Sequence, residues 1–147
     1  MTLTAKVYGN FLKNAVNGII DLSRLRVILL ANTYTPDQDY HEFLDDVNPH
    51  EVEGTNYVSG GQLLDNPTCT YDVSIHSVII DCDDEIFSDV TITARYAIFY
   101  IDIVGENDNG KPLVGYWDLG EDETATSGSF RLTMDSTGVI KIPVNNT

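Results

Sequence analysis

The chain has 147 residues, of which 23 are Asp or Glu and 8 are Lys or Arg, for a formal net charge of −15. That length suits one domain with a sizeable core, and 42% hydrophobic residues exclude a disordered acidic tail. So negative a chain is ill suited to gripping a phosphate backbone. Its longest aliphatic run, Val27 to Ala31, is far short of a membrane span, and no basic-then-apolar start marks a secretory signal.

Asn10 offers a cap for Phe11, Leu12, Ala15 and Val16 at helical spacing, and Gly18 closes the segment; one or two helical turns are expected. Leu25, Val27 and Leu29 alternate with Arg24, Arg26 and Ile28, the pattern of a strand entering a core. The plainest helix signal follows. Thr35-Pro36-Asp37-Gln38 combines a capping threonine, proline at the first helical position and glutamine three residues after the cap. Asp37 and Asp39 suit a helix N-terminus. Tyr40, Phe43, Leu44 and Val47 form one apolar stripe before Asn48-Pro49 stops it. The spacing predicts a short helix across the edge or end of a sheet.

Beyond Ser59-Gly60-Gly61 the signals are those of strands. Cys69, Tyr71 and Val73 alternate with polar residues, and Val78, Ile80 and Cys82 continue the phase. An antiparallel hairpin with a two- or four-residue loop is expected, with Val73 facing Val78, Tyr71 facing Ile80 and Cys69 facing Cys82. The longest strand runs from about Asp89 to Val104. It alternates at first, then becomes apolar on both faces over Ala97 to Ile101. Glu106 to Gly110 turns the chain into Leu113 to Leu119. Phe130, Leu132 and Met134 mark another strand, and Asp135 to Gly138 turns into Val139 to Val144. Eight or so short strands without a βαβ rhythm indicate a mainly β fold, an antiparallel β-sandwich or jelly roll with one or two short helices, in a single domain over residues 1–147.

The charge is uneven. Residues 1–26 carry a net +3, residues 27–94 a net −14 without one Lys or Arg, and residues 95–147 a net −4. Acidic loops that keep the molecule soluble explain most of this. A sharper reading has two surfaces of opposite sign, with residues 1–18 as a possible docking arm for something acidic.

Three carboxylate groups suggest a hard cation: Asp81, Asp83, Asp84 and Glu85; Asp118, Glu121, Asp122 and Glu123; Asp37 and Asp39. None has calcium-loop spacing, and with so many acids a glycosidase-like pair is expected by chance. His41, His50 and His76 are scattered and expected at the surface. No nucleophile elbow, phosphate loop or dinucleotide fingerprint is present. Cys69 and Cys82 suit two reduced core thiols better than a disulfide. No cation lies between Arg26 and Arg95 to activate either thiol. The residues therefore assign no catalytic, cofactor or metal position, and an enzyme is not expected.

Four stretches carry a resemblance. They are Tyr8-Gly9-Asn10 on through Val16-Asn17-Gly18 to Val27-Ile28-Leu29-Leu30; Tyr34 to Asp39 with Phe43 to Val47; Thr91 to Ala97; and Leu113 to Gly120. Together they resemble small structural proteins of tailed bacteriophages, above all capsid decoration (cement) proteins, β-rich knobs that trimerise on the head. The resemblance implies a non-enzymatic virion protein, made in the host cytoplasm. It would bind the major capsid protein on the capsid exterior as a homotrimer and stabilise the shell, with no cofactor, nucleic acid or membrane. Ala97 to Ile101 would then serve as a subunit interface, and the basic start of the chain would meet the shell. The alternatives are a tail or baseplate component, or a receptor- or carbohydrate-binding module that exposes Tyr116 or Trp117. Leu113, Gly115, Trp117 and Leu119 share one face, which favours a core position for the tryptophan.

Overall fold

The computed structural model describes residues 3–135 and 138–144. In chain order its strands are β1 (Thr4–Val7), β2 (Leu25–Leu30), β3 (Gln62–Leu63), β4 (Thr68–Asp72), β5 (Ser77–Asp81), β6 (Glu85–Ile101), β7 (Leu113–Leu132) and β8 (Ile140–Pro143). One α-helix, α1 (Gly9–Val16), joins β1 to β2. All strand pairs are antiparallel. One sheet has five strands in the order β1-β7-β6-β2-β3, and the other has three in the order β4-β5-β8. The expected β-rich sandwich is present.

The two-faced apolar run of the sequence explains the layering. β6 lies between β2 and β7, and Ala97 to Ile101 are buried on both faces. On one face, Phe99 and Trp117 join Leu25, Val27 and Leu29 in a core closed from above by Ile80, Ile140 and Ile142 of the small sheet. The Trp117 Nε1–H donates to the Val139 carbonyl at 2.9 Å, tying the two sheets together. On the other face, Ile28, Leu30, Tyr96, Ile98 and Tyr116 are covered by Tyr34, Leu44 and Val47 of the long connection after β2. The central strand pair is thus roofed twice, and Ala97 to Ile101 cannot serve as a subunit interface.

The segment from Thr35 to Val47 is not a helix. Asp37 Oδ1 accepts the backbone N–H groups of Asp39 and Tyr40, and Asp46 Oδ2 accepts those of Glu42 and Phe43. These side chains supply local partners that compete with a continuing helical ladder. Phe43 is instead extended and bridges antiparallel to Pro112, with Leu44 N–H donating to Lys111 O at 2.9 Å and Leu113 N–H to Glu42 O at 2.8 Å. Only two short 3₁₀ turns follow, Leu44–Asp46 and Asn48–His50. The anticipated stripe is broken accordingly, with Leu44 and Val47 buried and Tyr40 81% exposed.

Three smaller expectations shift. α1 begins at Gly9, and Tyr8 rather than Asn10 occupies the cap position without a side-chain bond. The β4–β5 hairpin forms, but Tyr71 faces Val78 and Cys69 faces Ile80, two residues from the anticipated register. A two-residue slip keeps every side chain on its expected face, so the hydrophobic pattern alone does not discriminate between the two registers. The stretches 113–119 and 130–132 belong to one strand, and Met134 lies beyond its end. β7 continues through Gly120 and Ser127, which take positive φ of 86° and 47° where its pairing with β6 is irregular.

Candidate functional site

A buried aromatic clasp joined by hydrogen bonds lies on the face away from the small sheet. Tyr8, just before α1, and Tyr34 share a hydrogen bond at 2.8 Å, and the Tyr34 hydroxyl meets His41 Nδ1 at 2.8 Å. The Tyr34 ring stands edge-on to Tyr96 of β6, and the Tyr8 ring lies against Tyr116 of β7, with centroids 5.3 Å apart in each pair. Burial, reinforced by the neighbouring Tyr34, pushes the Tyr8 phenol far above its ordinary range, and burial raises Tyr34 to about 12. Both phenols therefore keep their protons at neutral pH, which suits fastening rather than proton transfer. His41 is half-buried in this clasp, not on the surface as expected. His50 Nδ1 meets the Thr33 hydroxyl at 2.9 Å, and His76 is exposed in the β4–β5 turn.

Five of the carboxylates anticipated as cation ligands, Asp81, Asp83, Asp84, Asp118 and Asp122, are held in local structure. Asp118 pairs with Arg95 at 2.7 Å and accepts Gly120 N–H, and these contacts hold its carboxyl below the usual range. Asp84 accepts the Met134 N–H and pairs with Arg131. Asp81 caps Cys82, Asp83 takes the Asn66 amide, and Asp122 takes the Asn32 amide. Among the described residues no three His, Cys, Asp or Glu side chains are grouped so as to hold a metal ion.

The basic start of the chain is largely neutralised within the fold. Asp102, just past β6, gathers three cations: Lys111 at 3.0 Å, Arg24 at 3.4 Å and Arg26 at 3.8 Å. Lys13 pairs with Glu42 at 2.8 Å. Nothing in the sequence marks Asp102 as this hub, because Arg24 and Arg26 lie on a segment far from it in the chain. Lys6 and Lys141 remain exposed on β1 and β8, the strands that meet where the sheets close on each other. Residues 3–18 are built into the sandwich rather than forming an arm. β1 pairs with β7, Tyr8 is fully buried, and Phe11 is in the core.

Both cysteines are free. Cys82 is buried, and burial, followed by the nearby Asp81 charge, raises its thiol to about 12. Cys69 is exposed, so the expectation of two core thiols holds for one of them.

Two adjoining grooves open beside Trp117. One, of about 280 Å³, is lined by Leu119, Phe130 and Leu132, and the other, of about 480 Å³, by Ala5, Met134 and Val139. Trp117 is 3% and Tyr116 7% exposed, which leaves neither ring displayed on a sheet face as a sugar platform. No family model matches the chain, and no curated protein or solved structure matches it.

Proposed function

We propose that this chain is a non-enzymatic structural protein of a tailed-phage virion, a decoration protein that binds the major capsid protein on the outer surface of the head and stabilises the shell. One observation carries the reading: the four stretches that resemble such proteins together build the central strands of the five-stranded sheet and the cores on its two faces, with Phe11, Val27, Leu29, Ile92, Ala97 and Trp117 in the core toward the small sheet. Tyr8, Ile28 and Leu30, Tyr34, Leu44 and Val47, Tyr96, Leu113 and Tyr116 all belong to the core beneath the long connection. The resemblance is thus carried by residues that build one architecture, as expected if it reflects a shared fold. A protein whose task is adhesion needs a rigid body, and the doubly covered sheet supplies one.

Docking is through the β1 and β8 edge, where Lys6 and Lys141 stand free of ion pairs among the described residues, while the acidic connections face solvent. A homotrimer on the head would need a surface other than the buried β6. Mass spectrometry of separated heads and tails tests the placement. Recovery with heads supports it, and recovery with tails alone replaces it with a baseplate or tail role. For orientation, Lys6→Glu with Lys141→Glu is expected to abolish attachment to purified heads. Undiminished attachment would move the docking surface elsewhere.

A further inference from the structure

Four strands end a sheet, and three of them are protected. β1 and β8 lie against each other and carry Lys6 and Lys141, and β8 ends in Pro143. β3 is only two residues long. Short strands, lysines and prolines are the common devices against edge-to-edge pairing. β4, Thr68-Cys69-Thr70-Tyr71-Asp72, has none of them and carries a single charge, at its end.

β4 also overhangs the sandwich. Cys69 and Tyr71 stand opposite Ile80 and Val78, so they share the inward face of the small sheet. Yet Cys69 is exposed and Tyr71 is 50% exposed, because the large sheet does not reach beneath them. Among the described residues, β5 is the only element that β4 touches extensively. Val73 and Ile75 in the adjoining turn are 73% and 47% exposed.

The backbone says what fits there. The carbonyls of Ile80 and His76 accept the N–H groups of Val139 and Val144 at 2.8 Å. Even-numbered residues of β5 therefore turn toward β8, and odd-numbered ones toward β4. Thr70, opposite Ile79, bonds inward. The N–H and C=O groups of Cys69 and Tyr71 point outward from the sheet.

We infer that a second copy of this chain adds its own β4 at this edge, antiparallel, about a two-fold axis through Thr70. In that register Cys69 of each copy lies opposite Tyr71 of the other, so the outward-pointing groups of both strands bond to each other. Thr70 faces Thr70, and Asp72 meets the hydroxyl of Thr68. No carboxylate stands opposite another, although the chain carries −15, and this match of the strand to itself singles out a second copy as occupant. The two-fold axis keeps both inward faces on the same side. Cys69 and Tyr71 of the two copies then line the cleft between the two large sheets and are covered. The inference stands apart from the virion reading, since it concerns the purified protein. So short a ladder makes a small interface, and dissociation in the micromolar range is expected.

Sedimentation equilibrium on the full chain should show a mass rising from 16.3 kDa toward twice that value with concentration. Thr70→Asp sets two carboxylates face to face on the solvent side, and should weaken association at least about tenfold without changing the circular dichroism. Thr70 would form the closely spaced, non-hydrogen-bonded pair, with Cα atoms about 4.5 Å apart, within disulfide range. Thr70→Cys in a Cys69→Ser background should therefore give a covalent dimer on oxidation, and Cys69→Ser alone should not. A monomer at all concentrations, a trimer, association unchanged by Thr70→Asp, or a folded Thr70→Cys protein that resists cross-linking would each overturn the inference. Should Thr70→Cys fail to fold, the mass and the Thr70→Asp result decide it.

Discussion

The hydroxyls of Tyr8 and Tyr34 lie 2.8 Å apart, 26 residues distant in sequence and fully enclosed. This bond fastens the start of α1 to the connection that roofs one face of the large sheet. The two tyrosines are not equivalent, because Tyr34 also meets His41 at 2.8 Å. Tyr34→Phe strips Tyr8 of its side-chain partner and should cost about 1–3 kcal/mol. Tyr8→Phe leaves Tyr34 bonded to His41 and should cost about 0.5–1.5 kcal/mol. The double variant should lose little beyond Tyr34→Phe, since both changes remove the same bond. Urea unfolding followed by the fluorescence of the single tryptophan, Trp117, measures all three.

The cysteines should separate cleanly by reactivity. Cys69 is exposed, whereas the Cys82 thiol is buried and raised to about 12. Only Cys69 presents an accessible thiol. Ellman's reagent should titrate one thiol quickly in the native protein and the second only in urea. Cys69→Ser should abolish the fast phase, and two fast thiols would contradict the burial of Cys82.

Acid should destabilise the fold through specific carboxylates. Asp21 is lowered from 3.8 by the Ser23 hydroxyl, Asp72 by Ser74, Asp84 by the Met134 N–H, and Asp118 by Arg95. A depressed folded-state pKa contributes stability that is complete above the unfolded value and is lost as pH falls through the folded one. Melting temperature should therefore hold steady above about pH 5 and drop below the usual 3.8. Asp118→Asn should make the drop shallower. Glu85, raised chiefly by burial, acts in the opposite sense, so Glu85→Gln should leave the protein at least as stable at neutral pH.

Two glycines with similar backbones should respond differently to a methyl group. Gly18 and Gly61 have φ of 79° and 72°. A Cβ at Gly18 meets nothing within 4 Å, so Gly18→Ala should cost only the conformational strain, about 1 kcal/mol. A Cβ at Gly61 runs into the Val27 carbonyl of β2. Gly61→Ala should cost markedly more, about 3 kcal/mol or above, because backbone must shift as well. Thermal denaturation of the pair compares them directly.

Asp102→Ala should be costlier than any other single loss from the surface ion pairs. It leaves Arg24, Arg26 and Lys111 facing one another around a partly buried site, at about 1–3 kcal/mol. Added salt should recover part of that loss by screening the repulsion, whereas Lys13→Ala should change stability by less than about 1 kcal/mol. Chemical denaturation at low and high salt distinguishes the two.

The strand core was legible because its pattern is intrinsic to the strands themselves. The double-faced apolar run Ala97 to Ile101 announced a strand covered on both sides, in the middle of a sandwich or at an interface, and the shared face of Leu113, Gly115, Trp117 and Leu119 announced a buried tryptophan. What stayed hidden depends on partners far along the chain. The Thr35 to Val47 stretch carries helix signals, yet backbone bonds to Lys111 and Leu113 hold Phe43 in an extended bridge. The clasp of Tyr8, Tyr34, Tyr96 and Tyr116 and the hub at Asp102 likewise assemble from distant segments. The hairpin register was missed for a different reason, as a shift of two residues conserves every facing.

The strand pairings also carry a consequence for the order in which the protein takes shape as it is made. β1 pairs through Thr4 with Asp118, and β2 pairs through Leu25 with Ile101. On the ribosome, both early strands must wait for sequence that emerges much later, with Val27 to Leu30 meanwhile uncovered. β6 and β7, adjacent in sequence and joined only by residues 102–112, can zip first and offer both earlier strands a finished template. Slowing translation before residue 113 should therefore lengthen the interval in which a chaperone can capture the nascent chain.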